Sequence, residues 1–561
     1  MRALGLVLCA LVPVALPMAC TGLESGEIVI VDEDAGGPGA GGTGGGVSGS
    51  AGKGKGGAAG SNASAGRGGA SGGTGDAGEA GTGPAGGAGS SNGGGANGGS
   101  SNGATGGTGN APTDCSDGND CATDLPICDT GTCRACTSSS ECAARDESSP
   151  VCHKTSGACV ECLKSSDCGG SRPVCDDRVC RRCEEGSECV SGACNSGRCA
   201  DESQVVYALA GTGSYDADCG THDKPCISLQ AAAEQLTSAR PFLVMLATNL
   251  VFSGSVTIPP MLDVTVFGNH VTVNAYNYDP PEPAFTIAGG TVTLDDIVIE
   301  QDGEPAGGQP TAAVLCTGGT LKARRLSVTN TDTSYGAAGL RLVDCDADVQ
   351  QSAFIGNVRG LDSSSSLPLP AQALTVERSL FKSNREALQF QGDHFLVRNN
   401  LFVENGLTSY VRIVRPIAYG GSGIQSYFAY NTLYGNHNQC SYEGGLIACE
   451  GGETECGVLT SNITWNNMYA LAGLTACPDQ VYVGAPTHTY SIAETTWPGT
   501  GNSSSDPLFA DPSMDDFTPG AASPAIDAGN PDPNIVPAVD YYGNPRPVSD
   551  GPDIGAIEAS P

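Results

Sequence analysis

Positive charge is what this sequence has least of: 27 Lys and Arg stand against 61 Asp and Glu, a net charge of -34 with a pI near 4.3. That balance argues against nucleic acid and anionic membrane surfaces as partners, since both would repel it. The acidity suits solubility outside a cell and the collection of divalent cations. The apolar run over residues 3–16 is too short to span a bilayer, which takes about 20 residues. Bulky side chains are nearly missing from residues 35–112, a stretch of Gly, Ala, Ser, Thr and Asn. It cannot bury enough surface to fold and reads as a flexible tether with an r.m.s. span of roughly 50 Å. Gly does not recur there at every third position, so collagen is excluded. No Ser/His/Asp grouping, P-loop or dinucleotide fingerprint occurs.

What the chain does have is repetition. One six-residue phrase is written six times: Arg325-Leu-Ser-Val-Thr-Asn330, Ser352-Ala-Phe-Ile-Gly-Asn357, Ser379-Leu-Phe-Lys-Ser-Asn384, Asn400-Leu-Phe-Val-Glu-Asn405, Asn431-Thr-Leu-Tyr-Gly-Asn436 and Asn462-Ile-Thr-Trp-Asn-Asn467. The starts lie 27, 27, 21, 31 and 31 residues apart, a solenoid period. Between them, Gly339-Leu-Arg-Leu-Val343, Ala387-Leu-Gln-Phe-Gln391 and Gly423-Ile-Gln-Ser-Tyr427 alternate apolar with polar, as half-buried strands do. No leucine-rich-repeat frame is present. Strands stacked about 4.8 Å apart would bring the closing Asn side chains into register as an amide ladder. The expected architecture is a parallel β-helix.

Cysteine forms a second array. The 26 cysteines imply an oxidising compartment. Sixteen fall in four units: Cys115/121/128/133, Cys136/142/152/159, Cys162/168/175/180 and Cys183/189/194/199. Units this small cannot build an apolar core, so cross-links must hold them. Pairing within each unit is the simplest framework, although spacing does not fix the connectivity. The Cys-x2-Cys pairs 133/136, 159/162 and 180/183 also allow a zinc reading, which the even count and export disfavour. Cys219 and Cys226 close a loop ahead of Ser228-Leu-Gln-Ala-Ala-Ala-Glu-Gln-Leu236, a short amphipathic helix with Ser at its start. Cys316 and Cys345 occupy like positions in successive coils and are placed to bridge them. Cys440, Cys449, Cys456 and Cys477 are expected to pin a later excursion.

Several segments resemble known families. Arg2, the apolar run and Leu16-Pro-Met-Ala-Cys20 resemble a bacterial lipoprotein signal, with Pro17 where that family usually has Leu. The resemblance implies lipidation of Cys20, and Thr21 in place of Asp implies the outer membrane. The cysteine array is loosely similar to Dickkopf N-terminal modules. Cys-Gly-Thr-His-Asp-Lys-Pro-Cys226 with its helix resembles the opening segment of bacterial right-handed parallel β-helix proteins, where the helix plugs the first coil. Asp506-Pro-Leu-Phe, Ser523-Pro-Ala-Ile-Asp-Ala-Gly529, Tyr542-Gly-Asn-Pro-Arg546 and Asp553-Ile-Gly-Ala-Ile-Glu558 resemble the "choice-of-anchor Q" tail of surface β-helix proteins. The fold class expected is all-β: a right-handed parallel β-helix behind a disulfide-rich repeat region and a disordered Gly-rich linker. The expected segments are an export signal (1–19), lipidated Cys20 with its linker (20–112), a cysteine-rich stalk (113–200), an opening segment with a capping helix (201–240), the β-helix (241–505) and a C-terminal cap (506–561).

β-Helix relatives of the pectate-lyase type bind polysaccharides along an outward face, and one fold hosts many activities. Aligning the alternating strands places Arg341, Asp362, Gln389 and Gln425 in one outward column, with Ser364, Gln391 and Tyr427 in the next. Such amide, guanidinium, carboxylate and aromatic groups suit sugar hydroxyls, although any coil must also present a solvated face. For hydrolysis, Asp362 and Asp393 are the candidate carboxylates, with His394 beside them. For a lyase, Arg341 would be the base near a Ca²⁺ held by Asp344, Asp346 and Asp348, the only cofactor suggested. The polygalacturonase-like pattern is incomplete: Asp295-Asp296 is a fragment on another coil and Gly-His-Gly is missing. The leading expectation is a lipid-anchored surface protein, otherwise secreted, whose β-helix binds polysaccharide or another cell-surface component. The alternatives are a lyase or hydrolase of an acidic polymer, or a purely structural or protein-binding surface protein.

Overall fold

The computed structural model describes residues 115–559, apart from 117–119, 248–249, 277–281, 303–311, 331–337, 364–371, 407–412, 419–424, 439–445, 449–456, 470–481, 484–487 and 496. The expected signal, Cys20 and the tether lie outside the described residues, as do Ser364, Cys440, Cys449, Cys456 and Cys477. From Val205 onward the chain coils through three parallel sheets of 11, 10 and 9 strands, visiting the first, second and third in turn on every complete coil. Alternation sets the two faces of each strand. In the first sheet Val292, Leu321, Ala347 and Leu374 stack inward, while Thr293, Lys322, Asp348 and Thr375 stack outward. One apolar column in the second sheet is aromatic: Phe354, Phe381 and Phe402 have ring centroids 5.1 and 5.0 Å apart. Those rings explain two glycines on neighbouring third-sheet strands. A Cβ at Gly339 or Gly360 would lie 2.7 Å from a ring carbon of Phe354 or Phe381.

The corner from the first sheet to the second is two residues long in eight coils, and its first residue takes a left-handed conformation. These residues are Asp296, Arg325, Gln351, Arg378, Asn399, Tyr430, Ser461 and Tyr490, with φ between 50° and 59°. The far end of the second-sheet strand repeats the device at Gly356, Ser383, Glu404, Gly435 and Asn466. After each left-handed residue the backbone turns its N–H along the stack, where it needs an acceptor from the next coil. The expected column of closing asparagines supplies it from Asn357 onward but not at the first phrase, where Thr329 pairs with Ile355 and so leaves Asn330 one place short of Asn357. Asn357, Asn384, Asn405 and Asn436 each donate a backbone N–H, at 2.9–3.0 Å, to the side-chain oxygen of the next Asn in the series, which ends at Asn467. Their Nδ2 groups donate to the same oxygens. A second column stands at the opening position, formed by Ser352, Ser379, Asn400, Asn431, Asn462, Ser491 and Asn502. Both columns are buried over most of their length, where polar groups need partners, and only the first oxygen of the closing column, Asn357 Oδ1, has none among the described residues.

The two ends of the stack are closed differently. At the first coil the helix Leu229–Ala233, capped where Ser228 Oγ accepts from Ala231 N at 3.1 Å, puts Leu229, Ala232, Ala233 and Leu236 into the coil's own apolar cluster. At the last coil Trp497 packs against the same core and stacks near His488 at 5.0 Å, and Asn502 finishes the opening ladder. The tail over residues 506–559 is therefore not the end cap expected of it. It lies along the outside of the coils, where Phe517, Ala556 and Ile557 cover Leu401 and Val403, and Ala525 and Ile554 cover Ile463 and Ile492. Arg546, buried 2.8 Å from Glu558, also sits over the Tyr430 ring at 4.8 Å. Second-sheet strands with apolar outer residues need this cover, and the tail provides it.

The cysteine array consists of four hairpins with identical cross-links. Within each unit the first cysteine bonds the third and the second bonds the fourth: 115–128 and 121–133, 136–152 and 142–159, 162–175 and 168–180, 183–194 and 189–199. All sixteen thiols are consumed within units, which leaves none for zinc. The residue before each second cysteine is acidic (Asp120, Glu141, Asp167, Glu188), and its carboxylate accepts backbone N–H groups near the first cysteine. Further disulfides join Cys219 to Cys226 and Cys316 to Cys345, the latter across adjacent coils as expected. The fourth unit is docked on the helix rather than free. Ala193 packs with Val205, Tyr207, Phe242, Val244 and Phe267 on the first sheet, and Tyr207 Oη donates to Ser191 O at 3.2 Å.

Candidate functional site

The third sheet differs from the other two in how its strands are joined. First-to-second corners are mostly two residues long, whereas long connections cluster at the two ends of third-sheet strands. They run from Asp302 to Ala312, Asn330 to Ala338, Ser363 to Ala373, Val403 to Val414 and Ala418 to Tyr427. The outer face between them carries a polar column whose register is Leu315, Arg341, Asp362, Gln389 and Arg415. Three of the four residues expected in the first column are thus brought together. Gln425 is not: it is an exposed residue just ahead of the strand Tyr427–Ala429, and Tyr427 pairs with Leu396 and Val458 on the first sheet. Gln391 accordingly stands beside Ile417, not Tyr427. Period-two alternation is the same in every sheet, so it could not show that the chain had already passed from the third sheet to the first.

Asp362 holds the centre of this column, and it is buried where a solvated carboxylate was expected. Its Oδ2 lies 3.2 Å from Arg359 Nη1, and Arg359 Nε reaches Glu386 Oε2 at 2.9 Å. Its Oδ1 has no hydrogen-bond partner although it is shut away from solvent. Sequence reasoning missed Arg359, Glu386 and Arg415. Arg359 and Glu386 occupy equivalent coil positions, a pairing visible only once the coils are registered.

The other candidates are dispersed. Asp393 is buried at the one-residue corner between the third and first sheets, and its Oδ2 lies 3.2 Å from His394 Nδ1. His394 opens the first-sheet strand His394–Arg398, so Asp362 and the Asp393–His394 pair belong to different sheets. Asp344 is an exposed left-handed corner, whereas Asp346 and Asp348 point outward from the first sheet. Asp346 Oδ1 accepts from Ala373 N at 2.8 Å, and Asp348 Oδ1 accepts from Gln350 Nε2 at 3.0 Å. The three carboxylates do not form a cation cage. Among the described residues, the groups of three ligand atoms within 4.8 Å of one another are all cysteines of the disulfide units.

A different pair of carboxylates carries the clearest electrostatic perturbation. Asp295 and Asp296, on a first-sheet strand end and its corner, are both buried. Burial pushes the Asp295 carboxyl up to about 6, outweighing Arg325, whose Nη2 lies 2.5 Å from its Oδ1. Burial raises Asp296 as well, against His270, whose Nδ1 lies 2.7 Å from Asp296 Oδ1. Glu185 of the fourth cysteine unit adds to both shifts. This cluster marks the seam between the array and the coils.

A family described only as a family of unknown function (DUF8331) matches residues 101–205, the array and its flanks. No curated protein matches the chain. Among solved structures it is similar to pectate lyase Pel9A, at 13% identity and a TM-score of 0.29, over 64% of this chain and 97% of that one. It is also similar to an alginate lyase from Paenibacillus sp. str. FPU-7, at 12% identity and a TM-score of 0.25, over 48% and 96%. Likeness at that level transfers no residue and no activity. The strand register of this chain is what makes it a parallel β-helix protein, and the matched family covers only the array ahead of the helix.

Proposed function

We propose that the protein is exported and held at the cell surface through Cys20, and that its β-helix binds an extended polysaccharide or another surface component along the outer face of the third sheet. The observation that carries the reading is the register of Arg341, Asp362, Gln389 and Arg415 as one polar column on four successive coils. Arg341, Gln389 and Arg415 are half-buried, and their guanidinium and amide groups can hydrogen-bond sugar hydroxyls. Residues on successive coils stand about 4.8 Å apart, so an extended ligand meets a polar group at each step. The ten disulfides among the described residues support an extracytoplasmic location.

The test is retention on a glycan array. Wild type should be retained on at least one polymer, Arg341→Ala and Gln389→Ala should each weaken retention by about tenfold, and Tyr427→Ala on the first sheet should not. Retention of all three variants equal to wild type would remove the third-sheet face from consideration. Recovery of Cys20→Ser in the membrane fraction at the wild-type level would remove the anchor.

A further inference from the structure

A cleft of about 550 Å³ opens where the segment leaving the cysteine array crosses the Cys219–Cys226 loop. It lies at the first coil, on residues the third-sheet reading does not use. Its fixed feature is Arg240. The backbone of Arg240 closes a tight turn with Thr237, and its Nη2 donates to the carbonyls of Val205 at 2.8 Å and Gly220 at 2.6 Å. The guanidinium is thereby immobilised, yet no carboxylate among the described residues forms an ion pair with it. Some arginines of the coils do have such a partner, as Arg325 has Asp295, Arg359 has Glu386 and Arg398 has Glu377. In a chain of net charge -34, a guanidinium held in place at a cleft is a group that an anionic ligand atom can meet.

The remaining lining defines that ligand. Ser203 and Thr221 add hydroxyls, and His222 stands edge-on to Tyr207 with centroids 5.1 Å apart, giving the cleft an aromatic side. Glu202 and Asp223 lie on the same lining and are exposed. One guanidinium together with two carboxylates suits neither a simple anion nor a simple cation. We infer that this cleft binds a small zwitterion, an amino acid or short peptide, with its carboxylate on Arg240 and its ammonium toward Glu202 and Asp223. With both Nη2 hydrogens given to backbone carbonyls, Arg240 Nη1 can still donate a charge-assisted hydrogen bond to a carboxylate, and an ammonium gains from either acid.

Calorimetric titration of the full chain with glycylglycine, acetate and methylammonium tests this. Glycylglycine should bind at least about tenfold more tightly than either singly charged probe. Arg240→Gln should abolish that preference, and the exposed pair Glu202→Gln with Asp223→Asn should remove it while leaving acetate binding unreduced. Equal binding of the three probes, or no binding of glycylglycine at millimolar concentration, overturns the inference. Should Arg240→Gln disturb the first coil through its backbone contacts, Thr221→Val with Glu202→Gln decides instead: unchanged glycylglycine affinity overturns it.

Discussion

The cysteine array and the β-helix face the same difficulty, that no single repeat can bury enough apolar surface to stand alone, and they meet it by opposite means. Each array unit is closed on itself by two covalent bonds spanning 10 to 17 residues, with an acidic side chain tying down its first turn. Each coil leans on its neighbours, through strand pairing, stacked apolar columns and two lines of buried amides. The first kind of repeat is locally complete, whereas the second is complete only in company. The contrast ends at the fourth unit, whose Ala193 is packed on the first sheet.

Reduction should separate the two regions most sharply. A disulfide closing a loop of that size contributes about 3 kcal/mol, so losing two per unit leaves units that lack a core with nothing to hold them. The coils depend on Cys219–Cys226 and Cys316–Cys345 alone among the described residues. Dithiothreitol should therefore expose residues 115–182 to protease while the β-sheet circular dichroism persists. Simultaneous loss of both signals would break the distinction.

Within the coils, Asn405→Ala should have the next largest effect. Asn405 Oδ1 accepts both N–H groups of Asn384, and its Nδ2 donates to Phe381 O at 2.8 Å and to Asn436 Oδ1 at 2.9 Å. Truncation strands several buried groups, at about 1–3 kcal/mol each. Chemical denaturation should show a loss of roughly 3 kcal/mol or more. Asn502→Ala, at the partly exposed end of the other column, should cost less.

The smallest effect concerns the seam. Asp295 titrates in the folded protein near 6, above its ordinary 3.8, because burial disfavours its charged form. A raised carboxyl of this kind contributes stability that is fully present below the ordinary value and lost as pH rises through about 6. Arg324, Arg325, Asp296, His270 and Glu185 are the charged and titratable groups around the pair. Asp295→Asn should melt higher than wild type at pH 7.5 and lose that advantage by pH 5. An Asp295→Asn protein that melts lower than wild type at both pH values would show that Arg325 and not burial governs the site.

How far these features could be read beforehand depends on whether they are local. The closing asparagines were legible because one residue type recurs after a left-handed turn. The opening column was not, because Ser352, Ser379 and Ser491 share that role with Asn and so hide the repeat. Arg341, Asp362 and Gln389 were aligned correctly because each follows a small residue and Leu, in Gly339-Leu-Arg, Gly360-Leu-Asp and Ala387-Leu-Gln. Gln425 and Tyr427 were misplaced across the change of sheet between Ala418 and Tyr427. The tail's position could not be foreseen, since Arg546 and Ala556 find their partners more than a hundred residues away, at Asn399 and Thr432.

The polarity of the amide columns sets how long this rod can be. Every coil from Ser352 to Asn467 offers a donor toward the one after it and an acceptor toward the one before, and these surfaces are interchangeable. Removing residues 379–399 would bring Ser352 against Asn400 and Asn357 against Asn405 without changing the kind of bond at either joint. Such a molecule can be shortened or lengthened in whole steps of about 4.8 Å, like a ruler cut only at its graduations, and its reach becomes a matter of counting coils.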